Sequence, residues 1–227
     1  MKRLYCSLLS LLILAGAWLT LTKTPEEYGI FGDHYYEARQ ILSSMTLDER
    51  IAQTLMADYQ GTSSVSEMRQ YQFGGYIFFA KDFNGKNRAA VQNMISSLQT
   101  VAKIPLLTAV DEEGGIVTRV SQNSLLAPSR FASPSALYAE GGLTLIREDT
   151  IAKSNLLHSL GLNLNLAPVV DVSTNPNDFM YQRSLGKNAA LTADYAQTVI
   201  EASQGTGVSY TLKHFPGYGN NVDTHTG

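Results

Sequence analysis

The sequence predicts an α/β fold built on a parallel sheet, and three observations support it. Short apolar runs alternate with helical stretches along most of the chain. Runs such as Tyr76-Ile77-Phe78-Phe79-Ala80 show no polar alternation, as expected of strands buried on both faces. Several runs stop at a charged residue, Asp111, Asp171 or Lys213, which gathers polar chemistry at one edge of the sheet. A closed barrel and an open doubly wound sheet share this alternation. No G-x-G-x-x-G or G-x-x-x-x-G-K loop follows a first strand.

The chain begins with Lys2 and Arg3 ahead of a leucine-rich run from Leu4 to Thr22 that carries no charge. A positive start followed by an apolar segment predicts an export signal over residues 1–22, with Ala15-Gly16-Ala17 as a small-x-small cleavage site. The alternative is a retained anchor, because about 19 mostly apolar residues nearly span a bilayer. On either reading the remainder lies outside the cytoplasm, extracellular or attached through residues 4–22 to the outer face of the cytoplasmic membrane. Cys6 opens the apolar run rather than following it, which argues against a lipoprotein signal. Residues 23–39, with Pro25, Gly29 and Gly32, are assigned to a linker, and residues 40–227 to the folded domain.

Tyr35 to Ser44 has helical character. Thr46 and Glu49 form a capping box that opens a helix with Leu47, Ile51 and Leu55 on its apolar face. Ser64 and Glu67 repeat the device before a short helix. Gly74-Gly75 leads into the strand Tyr76 to Ala80, and Lys86 to Lys103 reads as a helix. A strand from Pro105 to Val110 ends at Asp111. Ser133-Pro134 sets an N-cap and a proline at the first turn of a helix over Ser135 to Glu140. A longer helix, Thr144 to Leu160, ends at Gly161. Leu162 to Val170 is the next strand, Leu191 to Gln204 a helix stopped by Gly205, and Val208 to Leu212 a last strand.

The chain has 227 residues, of which 44% are hydrophobic, enough for a proper core. A net charge of −3 with 16% charged residues offers no basic field, so nucleic acid is excluded as a partner. A single cysteine rules out an internal disulfide.

The chemistry concentrates in Lys213-His214-Phe215-Pro216-Gly217-Tyr218-Gly219-Asn220-Asn221-Val222-Asp223-Thr224-His225. Proline and two glycines make this a surface loop at a strand end. An imidazole is a useful proton donor near neutral pH, and a carboxylate two positions away can orient it, fix its tautomer and favour its protonated form. An isolated Asp-x-His is more often a solvated turn. A zinc site on His214 and His225 lacks an H-E-x-x-H pattern or cysteine ligands. Lys213 and His214 fit hydrogen-bond donors to hydroxyl groups, or else a solvent-edge lysine and a histidine satisfied by the backbone. Asp111, beside Glu112, Glu113 and a glycine pair, fits a bidentate acceptor of two hydroxyl hydrogens or a helix-capping acidic cluster. Asp171 reads better as a cap on the loop toward Asn175 than as a direct participant.

Taken together, the loop resembles the K-H-F-P-G-[HY]-G-x-x-x-D-[ST]-H signature of glycoside hydrolase family 3, in its β-N-acetylhexosaminidase branch. Met45 to Gln53 is similar to that family's M-T-L-x-E-K-I-x-Q, and Asp111 to Arg119 to D-Q-E-G-G-x-V-x-R. Asn165 to Val172, Asn175-Pro176 and Arg183 to Gly186 are similar to N-x-A-P-V-x-D-V, N-P and R-S-x-G. The resemblance covers roughly residues 40 to 227. It implies a TIM-type (β/α)8 barrel, here truncated after about five or six strands. It also implies a retaining hydrolase that removes terminal β-linked N-acetylglucosamine from cell-wall or chitin-type oligosaccharides, with no metal or organic cofactor. Asp223 and His225 would be the acid/base dyad. Asp111, Arg183, Lys213 and His214 would bind substrate, as would Arg119, which could equally brace the carboxylates beside it.

Tyr218, Ile116 and Asn220 depart from the commoner histidine, arginine and acidic residue, which bears on sugar specificity. The family's nucleophile is an aspartate on a later strand's loop, and no residue here matches it. The resemblance therefore implies that residues 23–227 alone are inactive. A family 3 β-glucosidase lacks the D-[ST]-H loop, so Asp223 and His225 argue against it. An N-acetylglucosaminide phosphorylase shares the dyad, and a non-catalytic surface glycan-binding protein would keep the binding residues alone.

Overall fold

A computed structural model describes residues 32–219 and 221–223. The chain divides into two units, Met1–Arg50 and Ile51–Gly227. Within the described part of the first lies helix α1 (Tyr35–Ser44), which runs through the boundary expected at residue 39. The capping box forms as anticipated: the Glu49 carboxylate accepts from the Thr46 N–H at 2.9 Å, and Thr46 Oγ1 accepts from the Glu49 N–H at 3.2 Å. It opens the short helix α2 (Leu47–Ala52). The segment expected to be a signal or anchor, residues 1–22, lies outside the described residues. Among the described residues no helix is long and apolar enough to cross a membrane.

The second unit carries the sheet. In chain order it contains β1 (Met56–Asp58), α3 (Ser63–Tyr71), β2 (Gly75–Phe78), α4 (Ala80–Phe83), α5 (Arg88–Gln99) and β3 (Leu107–Val110). It continues with α6 (Pro134–Leu160), β4 (Leu164–Asn165), α7 (Ala189–Ser203) and β5 (Ser209–Tyr210). All four strand pairings are parallel, and the spatial order is β1-β2-β3-β4-β5. A doubly wound sheet reverses its order at a switch point. This one adds each strand beside the last, which is how a (β/α) barrel winds. Tyr76 and Phe78 of β2 and Val110 of β3 are fully buried, packed with Val91, Ile95 and Leu98 of α5 and Leu157 and Leu160 of α6.

Local rules explain most boundaries. Ser133 Oγ accepts from the Ala136 N–H, with Pro134 in the first turn. Gly142, at φ 61° and ψ −150°, divides α6 into the two helices anticipated on either side of it, and Gly161 caps its end at φ 92°. Other expectations are corrected. The helix before β1 stops at Ala52 rather than running to Leu55, and a strand follows that Met-Ala-Asp does not announce. Ser64 is no capping-box residue: it is buried inside α3, where its Oγ accepts from the Gln60 N–H at 2.8 Å. Strand β4, Leu164–Asn165, is far shorter than Leu162 to Val170, and Pro168, beyond its end, supplies no N–H to the ladder. Pairing resumes past it as a parallel bridge between Val169 and Lys213.

Candidate active site

The site is built where β3, β4 and β5 end. Asn165, fully buried at the end of β4, holds the main chain of Glu112 from both sides, accepting from its N–H and donating to its carbonyl, each at 3.0 Å. This ties the exit of β3 to that of β4. The Glu112 carboxylate is buried and turned inward, accepting from the N–H groups of Arg119, Val120 and Ser121 and from the Ser121 hydroxyl. It closes the turn and is spent on structure. Between these anchors, the N–H groups of Glu113 and Gly114 both donate to the Val117 carbonyl. Gly114 sits at φ 102°, and a Cβ there would lie 2.1 Å from the Ala132 carbonyl oxygen, so only glycine fits the turn that aims Glu113.

Glu113 is the centre of the polar cluster. Its carboxylate accepts from Arg183 Nε at 2.9 Å and Nη2 at 2.7 Å, a two-pronged pairing. Lys213 Nζ lies 2.5 Å from Glu113 Oε1 and 2.7 Å from Asp111 Oδ1. Burial would raise the Glu113 carboxyl, but the Arg183 hydrogen bonds and the Lys213 charge outweigh it and hold it below the usual range. The same pairing raises Arg183 above its ordinary value. Lys153, buried on α6, donates to the Glu113 carbonyl at 3.2 Å and pairs with Asp149 at 3.0 Å.

A second carboxylate organises the loop after β5. Asp171, 5% exposed, accepts from His214 Nδ1 at 2.7 Å and from the N–H groups of His214 at 3.2 Å and Tyr218 at 2.7 Å. That bond places the ring proton on Nδ1 and turns Nε2 away from the protein's own carboxylate. The expectation that Asp171 merely caps the loop toward Asn175 is thereby corrected, since its three donors come from the Lys213–Gly219 segment.

The structure gathers Asp111, Arg183, Lys213 and His214 at the strand ends, with Glu113 and Asp171 as their shared partners. Arg119 stands apart. Its main chain serves Glu112, while its guanidinium pairs with no carboxylate among the described residues and its buried Nε finds no acceptor. It does not brace the neighbouring acids. Asp223 is half-buried, and His225 lies outside the described residues. Among the described residues no group of three or more His, Cys, Asp and Glu side chains gathers around a metal position.

Residues 46–227 match the sequence model of the glycosyl hydrolase family 3 N-terminal domain. The chain is 35% identical over 165 residues to the beta-hexosaminidase A of Pseudoalteromonas piscicida, covering 70% of this chain and 27% of that protein. It is 31% identical over 154 residues to a beta-hexosaminidase of Xanthomonas oryzae pv. oryzae, covering 66% and 45%. A glycoside hydrolase family 3 beta-N-acetylglucosaminidase from Paenibacillus sp. str. FPU-7 superposes with a TM-score of 0.73 at 31% identity, over 80% of this chain and 35% of the other. The chain thus spans 27% and 45% of the lengths of the two hexosaminidases. The five strands are an arc of a TIM-type barrel. Because the matched span takes in the Asp111–Arg119 turn, Arg183 and the Lys213 loop on this sheet, the chain belongs to glycosyl hydrolase family 3.

Proposed function

We propose that the protein is a retaining β-N-acetylhexosaminidase that removes terminal β-linked N-acetylglucosamine from cell-wall or chitin-type glycans. The observation that carries this reading is the convergence of Asp111, Arg183, Lys213 and an oriented His214 at the strand ends. The names beta-hexosaminidase and beta-N-acetylglucosaminidase among its relatives support it.

The chemistry follows from the donors and acceptors present. A sugar hydroxyl is both donor and acceptor, so a pocket of alternating cations and carboxylates satisfies it in either sense. Lys213 and Arg183 donate, and Asp111, with Oδ1 taken by Lys213, offers Oδ2 as an acceptor. His214 presents Nε2 from a ring that Asp171 fixes. His225, oriented by Asp223 two positions earlier, delivers the proton to the departing glycosidic oxygen while the family's aspartate nucleophile bonds to the anomeric carbon, and water then displaces that aspartate to release the sugar with retention.

The test is turnover of a chromogenic aryl N-acetylglucosaminide by the full gene product, with His225→Ala beside it. The expected loss is about 10²- to 10⁴-fold, the usual worth of a positioned general acid. Equal rates would sink the dyad assignment. Turnover that requires inorganic phosphate would mark a phosphorylase, preference for the aryl glucoside a β-glucosidase, and sugar binding without turnover a glycan-binding protein.

Export belongs to the same proposal, on the strength of Lys2-Arg3 and the uncharged run that follows. N-terminal sequencing of protein recovered outside the cytoplasm should begin at Trp18. An intact Met1 terminus in the membrane fraction would favour the anchor instead.

A further inference from the structure

We infer that Phe179 and Tyr218 form a stacking platform for the second pyranose ring of a bound glycan, beside the polar cluster; this rests on reading that cluster as a sugar subsite. The rings of Phe179 and Tyr218 lie 5.5 Å apart between centroids, tilted by 42°. Tyr218 in turn meets the His214 ring edge-on at 5.1 Å and 75°. The three rings make a continuous line from the polar pocket outward, and its outer member, Phe179, is 38% exposed.

A single exposed phenylalanine is ordinary on a protein surface. Here both rings are held on fixed backbone, by the same two segments that supply the pocket. The Tyr218 N–H donates to Asp171 Oδ1, the carboxylate that also orients His214. Phe179 sits between Asp178, whose carboxylate accepts from Ser173 Oγ at 2.9 Å, and Met180, which is 1% exposed. The Met180 carbonyl accepts from the Arg183 N–H at 3.0 Å, so the turn that presents Phe179 also positions the Arg183 guanidinium. A ligand anchored by Arg183 and His214 therefore reaches these rings as it extends. The π faces of aromatic rings are electron-rich and attract the weakly positive C–H face of a pyranose, while the sugar's hydroxyl edge stays in water.

The test is calorimetric titration of the full gene product, made non-hydrolysing by His225→Ala, with N-acetylglucosamine and with its β-1,4-linked disaccharide. The expected result is about tenfold tighter binding of the disaccharide, the scale of one aromatic contact. Phe179→Ala should abolish that advantage while the monosaccharide Kd stays within about twofold. Phe179→Trp should keep it. Taken as a difference from the parent protein, emission from the indole of Phe179→Trp should shift with the disaccharide and not with the monosaccharide. Equal affinity for the two sugars, an equal Phe179→Ala loss on both, or an emission shift with the monosaccharide alone would overturn the platform and leave the pocket standing. No monosaccharide binding at all would overturn the pocket reading, and the platform with it.

Discussion

Glu113 and Arg183, 70 residues apart in the chain, are joined by two hydrogen bonds of 2.9 and 2.7 Å between a guanidinium edge and a buried carboxylate. The pairing ties the turn after β3 to the segment before α7. Lys213 reaches the same carboxylate from the end of β5. One acidic group thus sets the direction of both cations of the cluster, while it is 4% exposed itself. Its role is positioning.

Removing that charge should be costly. Glu113→Gln keeps the shape but leaves Arg183 and Lys213 facing each other without their shared counter-ion. Breaking a buried ion pair by altering one partner costs about 3–5 kcal/mol. The lower end is expected, because Lys213 keeps Asp111 at 2.7 Å. Urea unfolding of the two proteins measures it, and an unchanged midpoint would show that the cations do not depend on Glu113.

The same carboxylate gives stability a pH dependence of definite sign. In the folded chain Glu113 is held below the ordinary glutamate value of 4.5. The unfolded chain therefore takes up the proton first as pH falls. The contribution is complete above the unfolded pKa and is lost as pH drops through the lower, folded value. Stability measured by denaturant titration should be flat in this respect toward neutrality and fall on the acid side. Glu113→Gln should reduce that acid-side fall; an identical fall in the variant would assign it to other carboxylates.

The strand end at Asp111, the Ser133-Pro134 helix start and the Gly161 stop all follow local rules, and the structure keeps them, whereas the strand expected from Val208 to Leu212 is only Ser209–Tyr210, with Lys213 beyond it in an isolated bridge. Asp111, Arg183, Lys213 and His214 were legible because they sit in ordered motifs. Glu113 and Asp171 were not. An acidic run such as Asp111-Glu112-Glu113 reads locally as a cap, and nothing nearby distinguishes the inward-turned Glu112 from the Glu113 that binds partners 70 and 100 residues away. Asp171 has the same difficulty, since its donors lie 43 and 47 residues downstream. Strand β1 escaped because three residues, Met56 to Asp58, carry no period that could be recognised.

Asp171 should control the order of the loop after β5. It gathers three donors from two positions, and Gly217 crosses close above it at φ 107°, where a Cβ would lie 3.5 Å from Asp171 Oδ1. Asp171→Ala removes every one of those acceptors. Hydrogen exchange at the His214 and Tyr218 amides should speed by about 10- to 100-fold, equivalent to about 1.4–2.8 kcal/mol of lost local protection. The amide of Ala109, in the sheet, should exchange as before. Uniform acceleration throughout the chain would mean that Asp171 stabilises the fold at large rather than this loop.

Lys153 and Asp149 test how the floor of the site is built. The pair lies on adjacent turns of α6 with side chains only 8% and 12% exposed. Lys153 donates to the Glu113 carbonyl and stands 5.2 Å from the centre of the Phe131 ring. Taking two charges out of water offsets much of their mutual attraction, so the intact pair adds little net stability, whereas a single survivor is an uncompensated buried charge. Lys153→Met should therefore destabilise the protein by about 3–5 kcal/mol. Adding Asp149→Leu should restore most of that loss, because the second charge no longer needs a partner. A double variant as unstable as the sum of the two single ones would contradict this account and show that the Lys153 bond to the Glu113 carbonyl, rather than the ion pair, is what the turn depends on.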